Sequence, residues 1–147
     1  MVSAPAPDHL AALPQWRSLE RKRLRAARLD LTAEQRSFAA QAIATVLDRL
    51  ITDRLGDPAG HVISGYWPIK AEPSLLFWME ALHARGVRLA LPVVEVPSTP
   101  LVFRTWHPGA RMERGHWNIP VPAADAERLV PEIALAPLVG WDPDGFR

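Results

Sequence analysis

Fifteen prolines are spread through 147 residues, and they limit the length of what lies between them. Proline fixes φ, lacks an N–H donor, and is excluded from helix interiors and from central positions of a sheet. A chain punctuated this densely is expected to be built of short elements separated by turns. Apolar residues make up 48% and charged residues 22%, an ordinary globular balance. This length suffices for one domain with a hydrophobic core and not for two comfortable ones. A single domain over residues 14–147 is expected, behind an Ala/Pro-rich flexible tail over 1–13.

The charge balance is nearly even, with 17 basic and 16 acidic residues and a net charge of +1. That argues against a general nucleic-acid surface. There is no cysteine, so disulfides, a thiolate nucleophile and a Cys-ligated zinc site are all excluded. No run approaches the roughly 20 apolar residues that span a bilayer. The N-terminus lacks a basic start followed by an apolar stretch and does not read as a secretory signal. No membrane partner is expected, and a cytoplasmic location is the default.

Along the chain, a basic helix is expected over about 14–29, with Pro14 suited to an early helical position. Thr32 opens a second helix, and Gln35 three residues on completes a capping box. Phe38, Ala42, Ile43, Val46, Leu47 and Leu50 recur at helical spacing and predict its apolar face. HVISGYW (61–67) reads as a buried strand. SLLFWMEALHAR predicts a helix capped by Ser74 and stopped at Gly86. VRLALPVV (87–94), LVFRTW (101–106) and EIALAPLVG (132–140) read as further strands, with 110–124 irregular and WDPDGFR a closing loop. This order points to an α/β sandwich with a largely buried sheet.

Four patches carry possible chemistry. Arg21, Arg25 and Arg28 fall on one face of the first helix. They suit phosphate oxygens, or else form a solvated helix face. In GYWPIKAEPS, Tyr66 and Trp67 end a strand where open α/β sheets place ligands, and Glu72 follows. A carboxylate there can grip the N–H groups of a heterocycle, pair with Lys70, or cap a helix. In ERGHWNIPVP, Trp117 is a hydrophobic anchor or a stacking plate for a flat ligand. In WDPDGFR, Asp142, Asp144 and Arg147 suit Mg²⁺ and phosphate, or make a plain Pro-Asp-Gly turn. No Walker A loop, GxGxxG or Ser-His-Asp arrangement is present. The histidines show no metal-ligand spacing.

Taken in order, RKRLRAAR, GYWPIKAEPS, VRLALPVV, LVFRTWHPG, HWNIPVP and LAPLVGWDPDGFR resemble the 5-formyltetrahydrofolate cyclo-ligase family over about residues 20–147. The resemblance implies a three-layer α/β/α sandwich of the ribose-isomerase and CoA-transferase-like type. It implies an enzyme that cyclises 5-formyltetrahydrofolate to 5,10-methenyltetrahydrofolate with ATP as co-substrate and Mg²⁺ as cofactor, releasing ADP and phosphate. In that chemistry ATP phosphorylates the formyl oxygen, N10 attacks the activated carbon, and phosphate leaves. No protein nucleophile is needed. Carried over by position, Arg21, Arg25 and Arg147 are expected at the ATP phosphates; at Arg21 the family often has lysine. Glu72 and Trp117 are expected at the folate, with Tyr66 and Phe103 as pocket walls.

In the family the arginine at position 147 is followed by a glycine-rich phosphate loop whose aspartate serves Mg²⁺. On that resemblance the C-terminal part of the fold is expected to be missing here, and no metal ligand is assigned. The complete protein is expected to be a monomer acting on small molecules. A chain ending at Arg147 is expected to expose a sheet edge, to dimerise or aggregate, and to show little or no cyclo-ligase activity. The alternatives are a catalytically inactive folate- or nucleotide-binding fragment and a purely structural one.

Overall fold

The computed structural model describes residues 13–145. The tail expected over 1–13 lies outside them except for Leu13, which opens the first helix, and so does Arg147. In chain order the elements are α1 (Leu13–Leu29), α2 (Ala33–Leu55), β1 (Val62–Ser64), α3 (Leu76–Ala84), β2 (Arg88–Val93), β3 (Val102–Trp106), β4 (Met112–Arg114), β5 (Pro120–Pro122), β6 (Arg128–Leu129) and β7 (Ile133–Ala134). A single 3₁₀ turn, His116–Asn118, joins β4 to β5.

The start of α2 follows from its sequence. Thr32 Oγ1 accepts from the Gln35 amide at 3.1 Å, and Gln35 Oε1 accepts from the Thr32 amide at 2.9 Å. Both are donors that a helix N-terminus otherwise leaves unpaired. The buried face of α2 differs from the expected one. Ala40, Ala44 and Ile51 are buried, with Leu47 and Leu55 packed beside them. Phe38 is 76% exposed, and Val46, Leu50 and Ile43 also face outward. The small side chains at 40 and 44 let the helix sit close to the core, and that sets its rotation. Ser74 does not cap α3, which begins after Leu75 with no side-chain cap.

Five strands form one sheet in the order β6-β3-β2-β1-β7. β1 runs parallel to both β2 and β7, with Ile63 opposite Leu89 and Ile133. β3 is antiparallel to β2 and to β6. Side chains alternate across a strand, so Ile63, Leu89, Leu91 and Trp106 share a face. They form one core cluster with Ala40, Ala44 and Ile51 of α2 and with Trp78, Met79 and Leu82 of α3. Residues of the other parity, including Ser64, Ala90, Phe103 and Thr105, take no part in it. The fold is α/β as expected. The second helical layer of the expected three-layer sandwich does not appear in this cluster.

Gly65 is where α3 approaches the sheet. A Cβ there would lie 2.4 Å from Met79 Sδ, so only glycine admits the observed packing. Two strand expectations are corrected. The run 132–140 is a strand only at Ile133–Ala134, flanked by Pro131 and Pro137, with the Leu135 amide still donating to Ser64 C=O at 2.9 Å. The stretch 110–124 is not irregular: β4 and β5 form a separate antiparallel pair with Arg114 opposite Pro120. Its prolines are tolerated because a two-stranded ribbon leaves one edge of each strand unpaired.

Candidate functional site

β1 and β7 run parallel, and their C-terminal ends open onto two adjoining cavities. Chain past the C-terminal ends of parallel strands is the usual place for a ligand in an open α/β sheet. The first cavity is about 260 Å³ and is lined by Arg28, Tyr66, Glu72 and Leu75 together with residues 135–138 and two α2 side chains, Ile43 and Leu47. The second is about 340 Å³ and is lined by Arg21 and residues 137–140. Pro137 and Leu138 belong to both linings, so they form a shared wall. At its far side Gly140 lies against Leu24 of α1, where a Cβ would come within 2.5 Å of Leu24 Cδ1.

The loop after β1 builds the first cavity. Lys70 and Ala71 hold positive φ values of 48° and 59°, a region that costs a non-glycine residue about 1 kcal/mol or more. Three contacts hold them there. The Glu72 amide donates to Ile69 C=O at 2.9 Å, and the Ile69 amide donates to Glu72 Oε2 at 3.0 Å. Arg28, in the last turn of α1, donates from Nε to Lys70 C=O at 3.1 Å. Its Nη2 lies 3.9 Å from Glu72 Oε1, and the two side chains are only 14% and 12% exposed. Glu72 therefore pairs with Arg28 and not with Lys70.

Tyr66 closes one side. Its hydroxyl donates to Pro73 C=O at 2.6 Å. Burial, followed by the nearby Glu72 charge, pushes that hydroxyl up to about 12, with Arg28 opposing. Tyr66 thus stays neutral at physiological pH and acts as a wall and a hydrogen-bonding group. The cavity combines apolar sides with one carboxylate, one guanidinium and one phenol. That suits a flat ligand carrying N–H donors at one edge.

Of the residues the sequence singled out, the structure brings Tyr66 and Glu72 into one cavity and Arg21 into its neighbour. Arg25 is exposed and lines neither. Phe103 sits on β3 opposite Pro92 and Leu129 and lines neither. Arg147 lies outside the described residues. In the closing loop the Asp144 amide donates to Asp142 Oδ1 at 3.0 Å and the Gly145 amide to Asp142 C=O at 3.0 Å, which is the plain turn.

Trp117 lies apart from both cavities, 81% exposed at the tip of the β4–β5 pair. Trp117 (φ 53°, ψ 26°) and Asn118 (φ 60°) are consecutive left-handed residues. The Ile119 amide donates to His116 C=O at 3.2 Å across them. This is the type I′ pattern, whose first central position ordinarily takes Asn, Asp or Gly. A large indole there is both strained and uncovered, a combination that packing does not account for.

Sequence reasoning assigned no separate role to Arg28 or to residues 135–138. For Arg28 a signal was present: it lies seven residues, two helical turns, after Arg21 and so faces the same way. For 135–138 the signal was Pro137, which forbids continuation of a paired strand.

Comparison with known proteins gives a family and a solved structure of similar fold. The 5-formyltetrahydrofolate cyclo-ligase family matches residues 14–147. The NMR structure of Aquifex aeolicus 5,10-methenyltetrahydrofolate synthetase is similar, with a TM-score of 0.68 and 25% identity over 88% of this chain and 64% of that one. A 5,10-methenyltetrahydrofolate synthetase from Mycoplasma pneumoniae gives a TM-score of 0.47 and 26% identity over 63% of this chain and 57% of that one. The chain thus spans less than two thirds of the length of either structure. Among curated proteins none matches significantly. With the match running from the second residue of α1 to Arg147, the chain belongs to the 5-formyltetrahydrofolate cyclo-ligase family.

Proposed function

We propose that the protein uses Mg·ATP to cyclise 5-formyltetrahydrofolate to 5,10-methenyltetrahydrofolate, with release of ADP and phosphate. One observation carries the reading most. A carboxylate cavity (Tyr66, Glu72, Arg28) and an arginine cavity (Arg21) lie side by side and share the wall Pro137–Leu138. Two substrates held in adjoining cavities meet at that wall, which is what a transfer between them requires.

In this scheme the pterin ring enters the first cavity. Glu72 Oε2 is already occupied by the Ile69 amide, so Oε1 takes the donors of the ring. Tyr66 supplies an aromatic wall. Arg21 faces the phosphates, with Arg25 near the rim of α1 adding positive charge. The γ-phosphoryl group moves to the formyl oxygen, N10 attacks the formyl carbon, and the C–O bond breaks to release phosphate. The chain contributes position and charge and no nucleophile. Trp117, exposed on its strained turn, is assigned to stack on the aromatic part of the folate, and Phe103 to a more distant wall. Among the described residues no three His, Cys, Asp or Glu side chains converge on a metal position. In this scheme Mg²⁺ enters with the nucleotide phosphates, and its protein ligand is left unassigned. No helix among them is long and apolar enough to cross a membrane.

The test is a steady-state assay of methenyl product with and without Mg·ATP. ATP-dependent product with matching ADP supports the reading and overturns the expectation of little or no activity. Binding of 5-formyltetrahydrofolate with no turnover would leave a binding module; no binding at all would discard the reading.

A further inference from the structure

Arg28 lies in the last turn of α1, and its side chain contacts the β1–α3 loop 42 residues further along the chain. It donates to Lys70 C=O, and it stands opposite Glu72 at 3.9 Å, an ion pair without a direct hydrogen bond. Lys70 and Ala71 between those two contacts are the left-handed pair. A segment in that conformation persists only when its surroundings fix it. Here the fixing groups are the Ile69–Glu72 turn and the Arg28 fork.

The division of Glu72 between its partners matters. Oε2 accepts from the Ile69 amide, while Oε1 accepts no hydrogen bond among the described residues. Arg28 Nη2 faces that same Oε1 from 3.9 Å, too far for a hydrogen bond, and so balances its charge while leaving its lone pairs unfilled. A direct bidentate Arg–carboxylate pair would take both oxygens. Arg21, two turns earlier on the same face, lines the adjoining cavity.

We propose that Arg28 is a positioning residue. It fixes the strained loop 69–72 so that Glu72 Oε1 is presented to the N–H donors of a flat heterocycle, and although its side chain lines the same cavity its effect on affinity runs through Glu72. The inference rests on the folate reading of this cavity for its ligand, but its mechanical part stands apart from it.

The experiment uses the full chain and Arg28→Gln, Arg28→Lys, Glu72→Gln and the double variant Arg28→Gln/Glu72→Gln. Hydrogen exchange of the Ile69 amide reads the loop without any ligand. It is expected to speed up about tenfold in Arg28→Gln, because local opening sets exchange, and less in Arg28→Lys. Affinity for 5-formyltetrahydrofolate is expected to fall about tenfold in Arg28→Gln, while affinity for Mg·ATP changes less than about twofold. In the Glu72→Gln background, adding Arg28→Gln is expected to change folate affinity less than about twofold, because both act through one carboxylate. Unchanged Ile69 exchange in Arg28→Gln would overturn the proposal. So would a full loss of folate affinity from Arg28→Gln in the Glu72→Gln background, since Arg28 would then act on the ligand itself. If wild type binds no folate but Ile69 exchange responds, positioning stands and the folate reading falls.

Discussion

Replacing Glu72 separates what its hydrogen bond does from what its charge does. In Glu72→Ala the Ile69 amide loses its acceptor and Arg28 loses its carboxylate. An unpaired, part-buried amide costs about 1–3 kcal/mol. A guanidinium that is 14% exposed and stripped of its partner adds on the order of 1 kcal/mol, because it keeps Lys70 C=O and some solvent. The sum is about 2–4 kcal/mol. Glu72→Gln keeps an oxygen for Ile69 and removes only the charge, so about 1 kcal/mol is expected. For a domain of this size 1 kcal/mol moves Tm by roughly 3–5 °C. Glu72→Ala should therefore melt about 6–20 °C lower and Glu72→Gln about 3–5 °C lower. Urea unfolding with a shared slope converts both to free energies. Equal stabilities for the two variants, within about 0.5 kcal/mol, would show that the oxygen facing Ile69 holds nothing and would refute the loop account.

Four other outcomes follow from the same structure. Gly65→Ala places a Cβ against the fully buried Met79 and should cost about 1–3 kcal/mol in chemical unfolding. Thr32→Ala removes the oxygen that caps α2 and should cost about 1 kcal/mol, with helical circular dichroism retained. Trp117→Gly relieves a left-handed side chain, so stability should hold or rise by about 0.5–1 kcal/mol while folate affinity drops; lost stability would place the indole in the fold and not in a site. Tyr66 is the single tyrosine, so the phenolate absorbance reports it alone. Its folded pKa of about 12 lies above the ordinary value of 10.0. The native state keeps the proton where the unfolded chain has lost it. Stability from this group is therefore complete below about pH 10 and declines as pH rises toward about 12; a phenolate titration centred near 10 in the native state would contradict this.

The sequence was most legible where a local rule acts alone. Thr32 and Gln35 announce the start of α2 because both capping bonds lie within three residues. Glu72 and Tyr66 could be placed at one site because each follows β1 closely. The face of α2 was misread because hydropathy favours Phe38 and Val46, whereas the core selects the small Ala40 and Ala44. That choice belongs to packing against Trp78 and Met79, which no local pattern reveals. Helical spacing puts Arg28 on the arginine face, but not its role, because its partners are a carboxylate and a carbonyl more than 40 residues away. The turn at Trp117 violates its own local preference, and such violations are invisible until the dihedral angles are known.

The central claim is that the Tyr66–Glu72 cavity receives the reduced folate beside a phosphate-facing Arg21. Amide chemical-shift mapping during a titration with 5-formyltetrahydrofolate tests it most directly. The account predicts saturable shifts concentrated at Arg28, Tyr66, Glu72, Leu75, Trp117, Leu135, Ala136 and Leu138, with Arg21 responding only when Mg·ATP is added. Shifts confined to other surfaces, or none at millimolar ligand, would contradict it.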